Sequence, residues 1–189
     1  MEQITQSIIS LYPMSSNSLE ELTSRMTQLI LPKRHILIKS GLIERNYYFI
    51  ESGLTRSYVL FEGNEVTSWF SQEGDITFSM LGSYQKKPGF EYVDLLEDSD
   101  IYSIPVDVLN ALYEKNLDIA NWSRLLHQKA FLELELRHIS RLTLTAKERY
   151  EQFLEQRPDI FRRVNLGYIA SYLGMSQVTL SRLRSQKVF

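Results

Sequence analysis

The spacing of the apolar residues changes once along the chain, at Pro105, and this change limits the possible folds more than any other feature. Between Arg34 and Pro105 the apolar residues occur in short runs separated by turn residues, which is typical of β-strands. After Pro105 the apolar spacing is helical to the end of the chain. The pattern predicts an α+β protein in which an antiparallel β-roll is followed by helices.

The β-type region divides into six runs. They predict strands over residues 35–39, 47–51, 55–61, 65–70, 90–96 and 101–104. Their even spacing, with turn signals between them, indicates a small sandwich or barrel. Before them, apolar residues at helical spacing predict two N-terminal helices, the second capped by Ser18 and continuing through Leu29 until Pro32. We expect these helices and the β-roll to form a domain over residues 1–116.

A long helix is predicted over residues 117–143, because this stretch contains neither Gly nor Pro. At ~1.5 Å per residue it would be about 39 Å long, which is more than a small domain needs. Apolar residues lie on two of its faces, so one face can bind the β-roll and the other a second copy of the chain. The predicted dimer residues are Leu125, Leu132, Leu136 and Ile139. Burial of both faces within one chain is the alternative, and Lys129 inside the stripe favours it.

The residue types that are absent exclude several functions. The 189-residue chain contains no Cys, so it has no thiolate for an iron–sulfur cluster, a Cys-type zinc site or nucleophilic catalysis. No apolar run approaches the ~20 residues of a membrane span, and no basic stretch precedes an apolar one at the N-terminus. We therefore expect a cytoplasmic protein that does not associate with membranes.

The charges are unevenly distributed. The formal net charge is −2, but residues 120–189 contain 12 basic and 6 acidic residues, whereas residues 1–119 contain 9 basic and 17 acidic residues. From Ile160 onward no acidic residue occurs at all. A basic C-terminal region on an acidic protein favours a polyanionic partner, and a solvated basic tail is the alternative interpretation.

The segment 166–185, LGYIASYLGMSQVTLSRLRS, has the pattern of a helix-turn-helix. Ala170 is small where the two helices must approach, Gly174 stands where the turn needs a left-handed backbone, and Ser176 is a good N-cap for the second helix. Apolar residues occupy the positions that join the helices: Ile169, Leu173, Met175, Leu180 and Leu183. A helical hairpin that packs on another part of the protein is the alternative. We expect a C-terminal all-α domain over residues 144–189.

The second helix, Gln177 to Gln186, presents side chains suited to a DNA groove. Gln can pair with adenine, Arg with guanine, and Val can contact only a thymine methyl, whereas Arg184 and Lys187 are better placed for phosphates. With Arg162 and Arg163 as further phosphate contacts, binding should depend strongly on salt. The predicted DNA-binding residues are Ser176, Gln177, Val178, Thr179, Ser181, Arg182, Arg184, Lys187, Arg162 and Arg163.

With a β-roll followed by a long helix and a helix-turn-helix, the chain resembles the Crp/Fnr family of bacterial transcription regulators. The resemblance rests on the helix-turn-helix, the helix AKERYEQFLE and three β-roll phrases: YFIESGLTRSY (48–58), EGDI (73–76) and LLEDSDIYSIP (95–105). It implies a dimer that binds inverted-repeat promoter sites in double-stranded DNA and contacts RNA polymerase. It also implies that Gln177, Val178 and Arg182 occupy the base-reading positions.

The same resemblance implies an effector pocket in the β-roll, formed by Gly74, Asp75, Ile76, Lys86 and Lys87. In members that bind cyclic nucleotides, a Gly-Glu pair precedes an Arg-Ser/Thr-Ala segment whose Arg pairs with the phosphate. Here Gly74-Asp75 resembles the first half, but Gly89-Phe90-Glu91 stands in place of the second. We therefore do not expect cyclic AMP to bind, and the sequence identifies no other effector, cofactor or metal.

Two other functions are consistent with parts of this pattern. One is a sensor of a ligand or a protein that does not bind DNA, against which the intact helix-turn-helix argues. The other, least favoured, is a cupin-like enzyme, which needs several His ligands for its metal. Residues 34–105 contain only His35. The sequence thus indicates a protein that is not an enzyme.

Overall fold

The computed structural model describes residues 1–186, in which nine helices and eight strands occur. The strands are β1 (Thr27–Leu31), β2 (Ile36–Ile38), β3 (Asn46–Ser52), β4 (Thr55–Phe61), β5 (Asn64–Ser71), β6 (Ile76–Phe78), β7 (Tyr92–Leu95) and β8 (Ser99–Pro105). The helices are α1 (Glu2–Leu11), α2 (Ser16–Thr23), α3 (Met80–Gln85), α4 (Val106–Lys115), α5 (Leu117–Thr143), α6 (Ala146–Gln156), α7 (Pro158–Arg163), α8 (Leu166–Leu173) and α9 (Gln177–Gln186).

The strands form two four-stranded sheets with the orders β1-β8-β3-β6 and β2-β7-β4-β5. β1 and β3 pair antiparallel with β8, β6 with β3, and β2 with β7. The predicted fold class is confirmed, since N-terminal helices and an antiparallel β-roll are followed by a long helix and C-terminal helices. Within residues 1–186 every helix is too short or too polar to span a bilayer.

The chain divides into two compact units, and the domains 1–116, 117–143 and 144–189 stay predictions. The first unit comprises Met1–Ser57 and Phe70–Lys129, and the second comprises Tyr58–Trp69 and the chain from Ala130 onward. The outer part of the β4–β5 hairpin therefore groups with the C-terminal helices. A sequence pattern that identifies strands locally does not show which distant helix a hairpin will contact.

The N-terminal prediction was wrong in two respects. Ser15, not Ser18, caps α2, and its hydroxyl accepts the N–H of Ser18 at 3.3 Å. The helix ends at Thr23, and Leu29 lies in β1, opposite Ile101 of β8. Alternating exposure along the strand explains the change, because Ile30 is exposed between the half-buried Leu29 and Leu31. The short elements β6, α3 and α7 also had no counterpart in the predicted pattern.

The core of the first unit joins the N-terminal helices, β3, α4 and the start of α5. Phe49 stacks on the Trp122 ring with 6.0 Å between ring centroids, and both side chains are almost fully buried. On the other sheet, the Arg56 side chain is 1% exposed, and its Nε and Nη2 donate to the two Asp94 carboxylate oxygens at 3.0 and 3.1 Å. The guanidinium is thus held in a two-point ion pair, the geometry that neutralises a buried charge best.

Candidate nucleic-acid interface

The turn between α8 and α9 has the geometry that its sequence predicts. Gly174 ends α8 with φ 67° and ψ 43°, in the left-handed region that glycine adopts without strain. The Met175 N–H donates to the Ala170 carbonyl at 3.0 Å, and the Gly174 N–H donates to that of Ser171 at 3.1 Å. These two bonds form the usual closure of a helix that ends at glycine. The turn therefore fixes the direction in which α9 begins.

Both helices of the motif are capped and joined by apolar contacts. Asn165 accepts the Gly167 N–H at 2.7 Å at the start of α8, and the Ser176 hydroxyl accepts the Thr179 N–H at 3.1 Å at the start of α9. Leu180 is the one residue of α9 that is fully buried among the described residues. α9 contacts α6 and α8. The buried apolar residues from α6 to α8 are Tyr150, Phe153, Ile160, Val164, Ile169, Ala170 and Leu173.

The remaining face of α9 is exposed to solvent. Among the predicted DNA-contacting residues in α9 and at its N-cap, the exposed ones are Ser176, Gln177, Val178, Ser181, Arg182 and Arg184. Val178 is 74% exposed, so its methyl groups are accessible on this face. Thr179 is half-buried, and its hydroxyl shares a hydrogen bond of 2.9 Å with that of Ser176. Thr179 therefore contributes to the cap more than to the exposed face.

The predicted phosphate contacts have different surroundings. Arg162 is exposed, but its guanidinium donates to the Asp159 carboxylate at 3.1 Å, so part of its charge is offset by a neighbour in α7. Arg163 is half-buried, and the Arg184 guanidinium lies 6.0 Å from the Phe161 ring centroid. Lys187 lies outside the described residues. The ion pair between Asp159 and Arg162 could have been predicted from their spacing of three residues, if the sequence had indicated that α7 is a helix.

The residues predicted for the effector pocket lie in two places. Gly74 and Asp75 form the turn before β6, where the Asp75 carboxylate accepts the Gln72 N–H at 3.0 Å and the Gly74 N–H donates to the Ile50 carbonyl. Ile76 pairs with Phe49 of β3. Lys86 and Lys87 follow α3, and the Lys86 ammonium lies 3.6 Å from the exposed Asp107 carboxylate. Asp75 and Lys86 thus have protein partners.

A carboxylate occupies the region where the resemblance would place a phosphate-binding Arg. A Cβ atom on Gly89 would lie 2.7 Å from the Ser79 hydroxyl and 3.0 Å from both Glu91 carboxylate oxygens. Ser79 is the N-cap of α3, whose first N–H groups would attract an anion. The Glu91 carboxylate therefore lies near this helix start.

The structure also shows a polar group in the β-roll that the sequence reasoning did not identify. The His127 ring lies against the rings of Tyr47, Phe78 and Tyr84, with centroids 5.7 to 6.5 Å apart. Its Nδ1–H donates to the Ser123 carbonyl at 2.8 Å, and Nε2 is buried with no hydrogen-bond partner in residues 1–186. The only signal in the sequence was the position of His127 in the first half of α5, which could have suggested that its ring faces the β-roll.

In the second unit, α5 and the β4–β5 hairpin both contact α8. The Ser171 hydroxyl accepts the Thr67 N–H at 2.9 Å and donates to the Glu65 carbonyl at 3.3 Å. Arg137 of α5 donates to the Ser68 carbonyl. In the part of the chain that is described, no group of three or more His, Asp or Glu is placed to hold a metal ion.

The fold is similar to solved structures of Crp/Fnr-type transcription regulators, so the resemblance seen in the sequence is confirmed at the level of the fold. The regulator CLP of Xanthomonas campestris has a TM-score of 0.72 and 14% identity, over 91% of either chain. FixK2 of Bradyrhizobium japonicum has a TM-score of 0.74 and 19% identity, over 85% of this chain and 83% of its own.

A regulator assigned to the Crp/Fnr family in Eubacterium rectale gives a similar result. Its TM-score is 0.70 at 16% identity, over 92% of this chain and 83% of its own. No family model and no curated protein matches the chain. At such low identity the structural likeness establishes the fold, and the function has to be argued from the residues.

Proposed function

We propose that this protein is a sequence-specific transcription regulator that binds double-stranded DNA by inserting α9 into the major groove. The observation that carries the proposal is the exposed, acid-free face of α9, which Leu180 and the Gly174 turn hold in a fixed orientation in its unit. A regulator of similar fold, CLP, is described as responsive to c-di-GMP and as linking cell–cell signalling to virulence gene expression. Contact with RNA polymerase belongs to the same proposal.

The side chains on this face divide into two groups by chemistry. Arg182 can form a two-point contact with guanine, Gln177 can do so with adenine, and Val178 can contact a thymine methyl. Ser181 lies between Gln177 and Val178 on the helix surface, and its hydroxyl can accept or donate a hydrogen bond. Arg184, beside the Phe161 ring, suits a phosphate contact, which positions the protein without reading the sequence.

Replacing Arg182 with alanine should weaken binding to the preferred duplex by about 1–3 kcal/mol, which is roughly 5- to 150-fold in Kd. The loss should be confined to the preferred site, because the variant lacks a base contact and keeps its phosphate contacts. Duplexes selected from genomic fragments and measured by fluorescence anisotropy at two salt concentrations would test this.

Two further variants serve as controls. Arg184→Ala should weaken binding to all duplexes alike and reduce the salt slope by about 1. Arg124→Ala, at an exposed position of α5 where the side chain donates to Gln128, should leave binding unchanged. Wild-type affinity and specificity of the Arg182→Ala protein would contradict the assignment of α9 as the recognition helix.

We also propose that two copies associate through α5. Three of the predicted dimer residues are exposed: Leu132 by 56%, Leu136 by 54% and Ile139 by 43%. They lie four and three residues apart and so share one side of the helix. The fourth, Leu125, is half-buried. A stripe of exposed leucine and isoleucine on a helix is typical of a surface that another helix covers.

Replacing Leu132 with lysine should convert a dimer into a monomer, because a dimer would bury the new charge beside its symmetry copy. Sedimentation velocity at micromolar concentration measures this change. Leu134→Lys is the matched control, since Leu134 is also an exposed leucine but lies on a different side of α5. A monomeric wild-type protein, or dimers of unchanged stability with Leu132→Lys, would refute the α5 interface.

Finally, we propose that cyclic AMP is not the effector, because the Glu91 carboxylate lies next to the start of α3. Titration calorimetry with cyclic AMP should give no saturable heat. The melting temperature should also stay constant, whereas a ligand at 100 times its Kd would add about 2.7 kcal/mol of stability. A saturable heat at a ratio of one nucleotide per chain would show that this interpretation of Glu91 is wrong.

A further inference from the structure

The second unit contains a cavity of about 340 Å³ between the end of β5, the second half of α5, α6 and the end of α8. Four arginines line it: Arg137, Arg141, Arg149 and Arg157. The single acidic side chain in its wall is Glu133, so the lining carries a formal surplus of three positive charges. None of the DNA-contacting residues predicted from the sequence belongs to this wall.

Three of these arginines are held in place by backbone carbonyl groups. Arg141 donates to the Tyr172 carbonyl at 2.7 Å, and Arg149 donates to the carbonyls of Leu173 and Leu144 at 3.0 and 2.6 Å. Arg137 donates to the Ser68 carbonyl. A carbonyl fixes the direction of a guanidinium but brings no negative charge. The arginines are therefore ordered without being neutralised.

The charges in the wall are compensated unequally. Arg157 pairs with Glu133 at 3.4 Å, whereas in residues 1–186 no carboxylate lies within ion-pair distance of Arg137, Arg141 or Arg149. Partial burial, and then the neighbouring charges of Arg137 and Arg149, lower the pKa of Arg141. Like charges repel one another here, and a bound anion would replace that repulsion with attraction.

The cavity also has apolar walls and the size of a ligand site. Its volume falls in the range of about 300–1,000 Å³ that is typical of small-molecule pockets. The Arg137 guanidinium lies 5.0 Å from the Trp69 ring centroid and 4.9 Å from that of Tyr172, so two aromatic rings contribute to the same wall. An inorganic ion alone would leave most of this volume and the aromatic surface unused.

From these observations we propose that the cavity binds a small organic phosphate monoester, with Arg137, Arg141 and Arg149 around the phosphate and the apolar wall against the organic part. A phosphate monoester carries close to two negative charges, which suits the surplus of three positive charges. Cyclic AMP is a phosphodiester with one charge, and we do not expect it to bind here. Phosphate suits this wall because a planar guanidinium can donate two parallel hydrogen bonds to phosphate oxygens. The site is separate from the β-roll pocket that the resemblance implies. The proposed phosphate site also does not depend on DNA binding, because all of the residues that form it belong to this chain and no contact with a duplex enters the argument.

Titration of the full chain with AMP, adenosine and inorganic phosphate tests the proposal in the absence of DNA. Trp69 reports binding by its fluorescence, and calorimetry gives the affinity independently. AMP should bind saturably, adenosine should not bind, and inorganic phosphate should bind more weakly than AMP and compete with it. Equal affinity for inorganic phosphate and AMP would overturn the assignment to an organic phosphate.

Two substitutions locate the site. Arg141→Gln removes a charge and should weaken AMP binding by roughly 10-fold or more, since a hydrogen bond to a charged group contributes about 1.5–3 kcal/mol. Arg141→Lys retains the charge and should recover part of the affinity. Arg124→Gln, on the same helix outside the cavity, should bind AMP like the wild type. An equal loss with Arg124→Gln would overturn the proposal, because binding would then be non-specific.

Melting curves of each variant separate lost binding from lost folding. If Arg141→Gln does not fold, Arg137→Gln removes a second charge from the same wall and should show the same loss of affinity. Failure of every phosphate-bearing probe to bind at millimolar concentration would overturn the proposal. If that failure came with a smaller salt slope of duplex binding in Arg141→Gln, the arginines would be assigned to DNA phosphates instead.

Discussion

Replacing Leu180 with alanine should unfold the C-terminal helices at temperatures where the first unit stays folded, and duplex binding should be lost with them. Leu180 is the fully buried residue of α9 among the described residues, and α9 contacts α8 and α6. Truncating a buried leucine costs about 2–5 kcal/mol, which is a large part of the stability of a small domain. Circular dichroism melting and fluorescence anisotropy on the same samples measure both effects.

Val178→Ala is the matched control for this substitution. It also truncates a branched apolar residue of α9, but Val178 is 74% exposed and surface changes usually stay within about 0.5 kcal/mol. Its melting curve should match that of the wild type, with any change confined to duplex affinity. A stable, DNA-binding Leu180→Ala protein would show that α9 is not held by this contact.

Replacing Asp94 with alanine should destabilise the first unit by about 3–5 kcal/mol, the cost of removing one partner from a buried ion pair. Arg56 is 1% exposed, and its Nε and Nη2 donate to the two Asp94 carboxylate oxygens, so removing Asp94 takes away a negative charge that offsets this buried guanidinium. Urea denaturation followed by tryptophan fluorescence reports the change, because Trp122 lies in the core of this unit.

A double substitution distinguishes the cost of the uncompensated charge from the value of the pair itself. Arg56→Met together with Asp94→Leu removes both charges and retains apolar volume, and such replacements are often neutral or stabilising. The double variant should therefore be more stable than Asp94→Ala. If both variants lost the same stability, the effect would come from packing and not from the charge of Arg56.

Local sequence chemistry predicted those parts of the fold that local chemistry determines. Gly174 predicted a left-handed turn because glycine adopts that conformation without strain, and the absence of Gly and Pro predicted α5. Thr145 begins α6, and the Glu148 carboxylate accepts the N–H and the hydroxyl of Thr145 in return. These bonds from Thr145 lower the pKa of Glu148. Each signal involves residues a few positions apart.

The features that the sequence did not predict depend on residues far apart in the chain. Leu29 fits a helical spacing as well as a strand, and its pairing with Ile101 of β8 decides between them. The arginine cavity combines residues of β5, α5, α6 and α8, so no spacing along the sequence brings them together. His127 was missed for the same reason, since its aromatic neighbours come from β3, β6 and α3.

The hydrogen bonds of Ser171 have a consequence for solubility as well as for the position of the hairpin. β5 stands at the end of its sheet, and such a strand offers unpaired N–H and C=O groups on which another chain can form a further strand. Ser171 binds the N–H of Thr67 and the carbonyl of Glu65, two residues apart on this outer side. One hydroxyl group thus blocks part of an edge at which aggregation would otherwise begin.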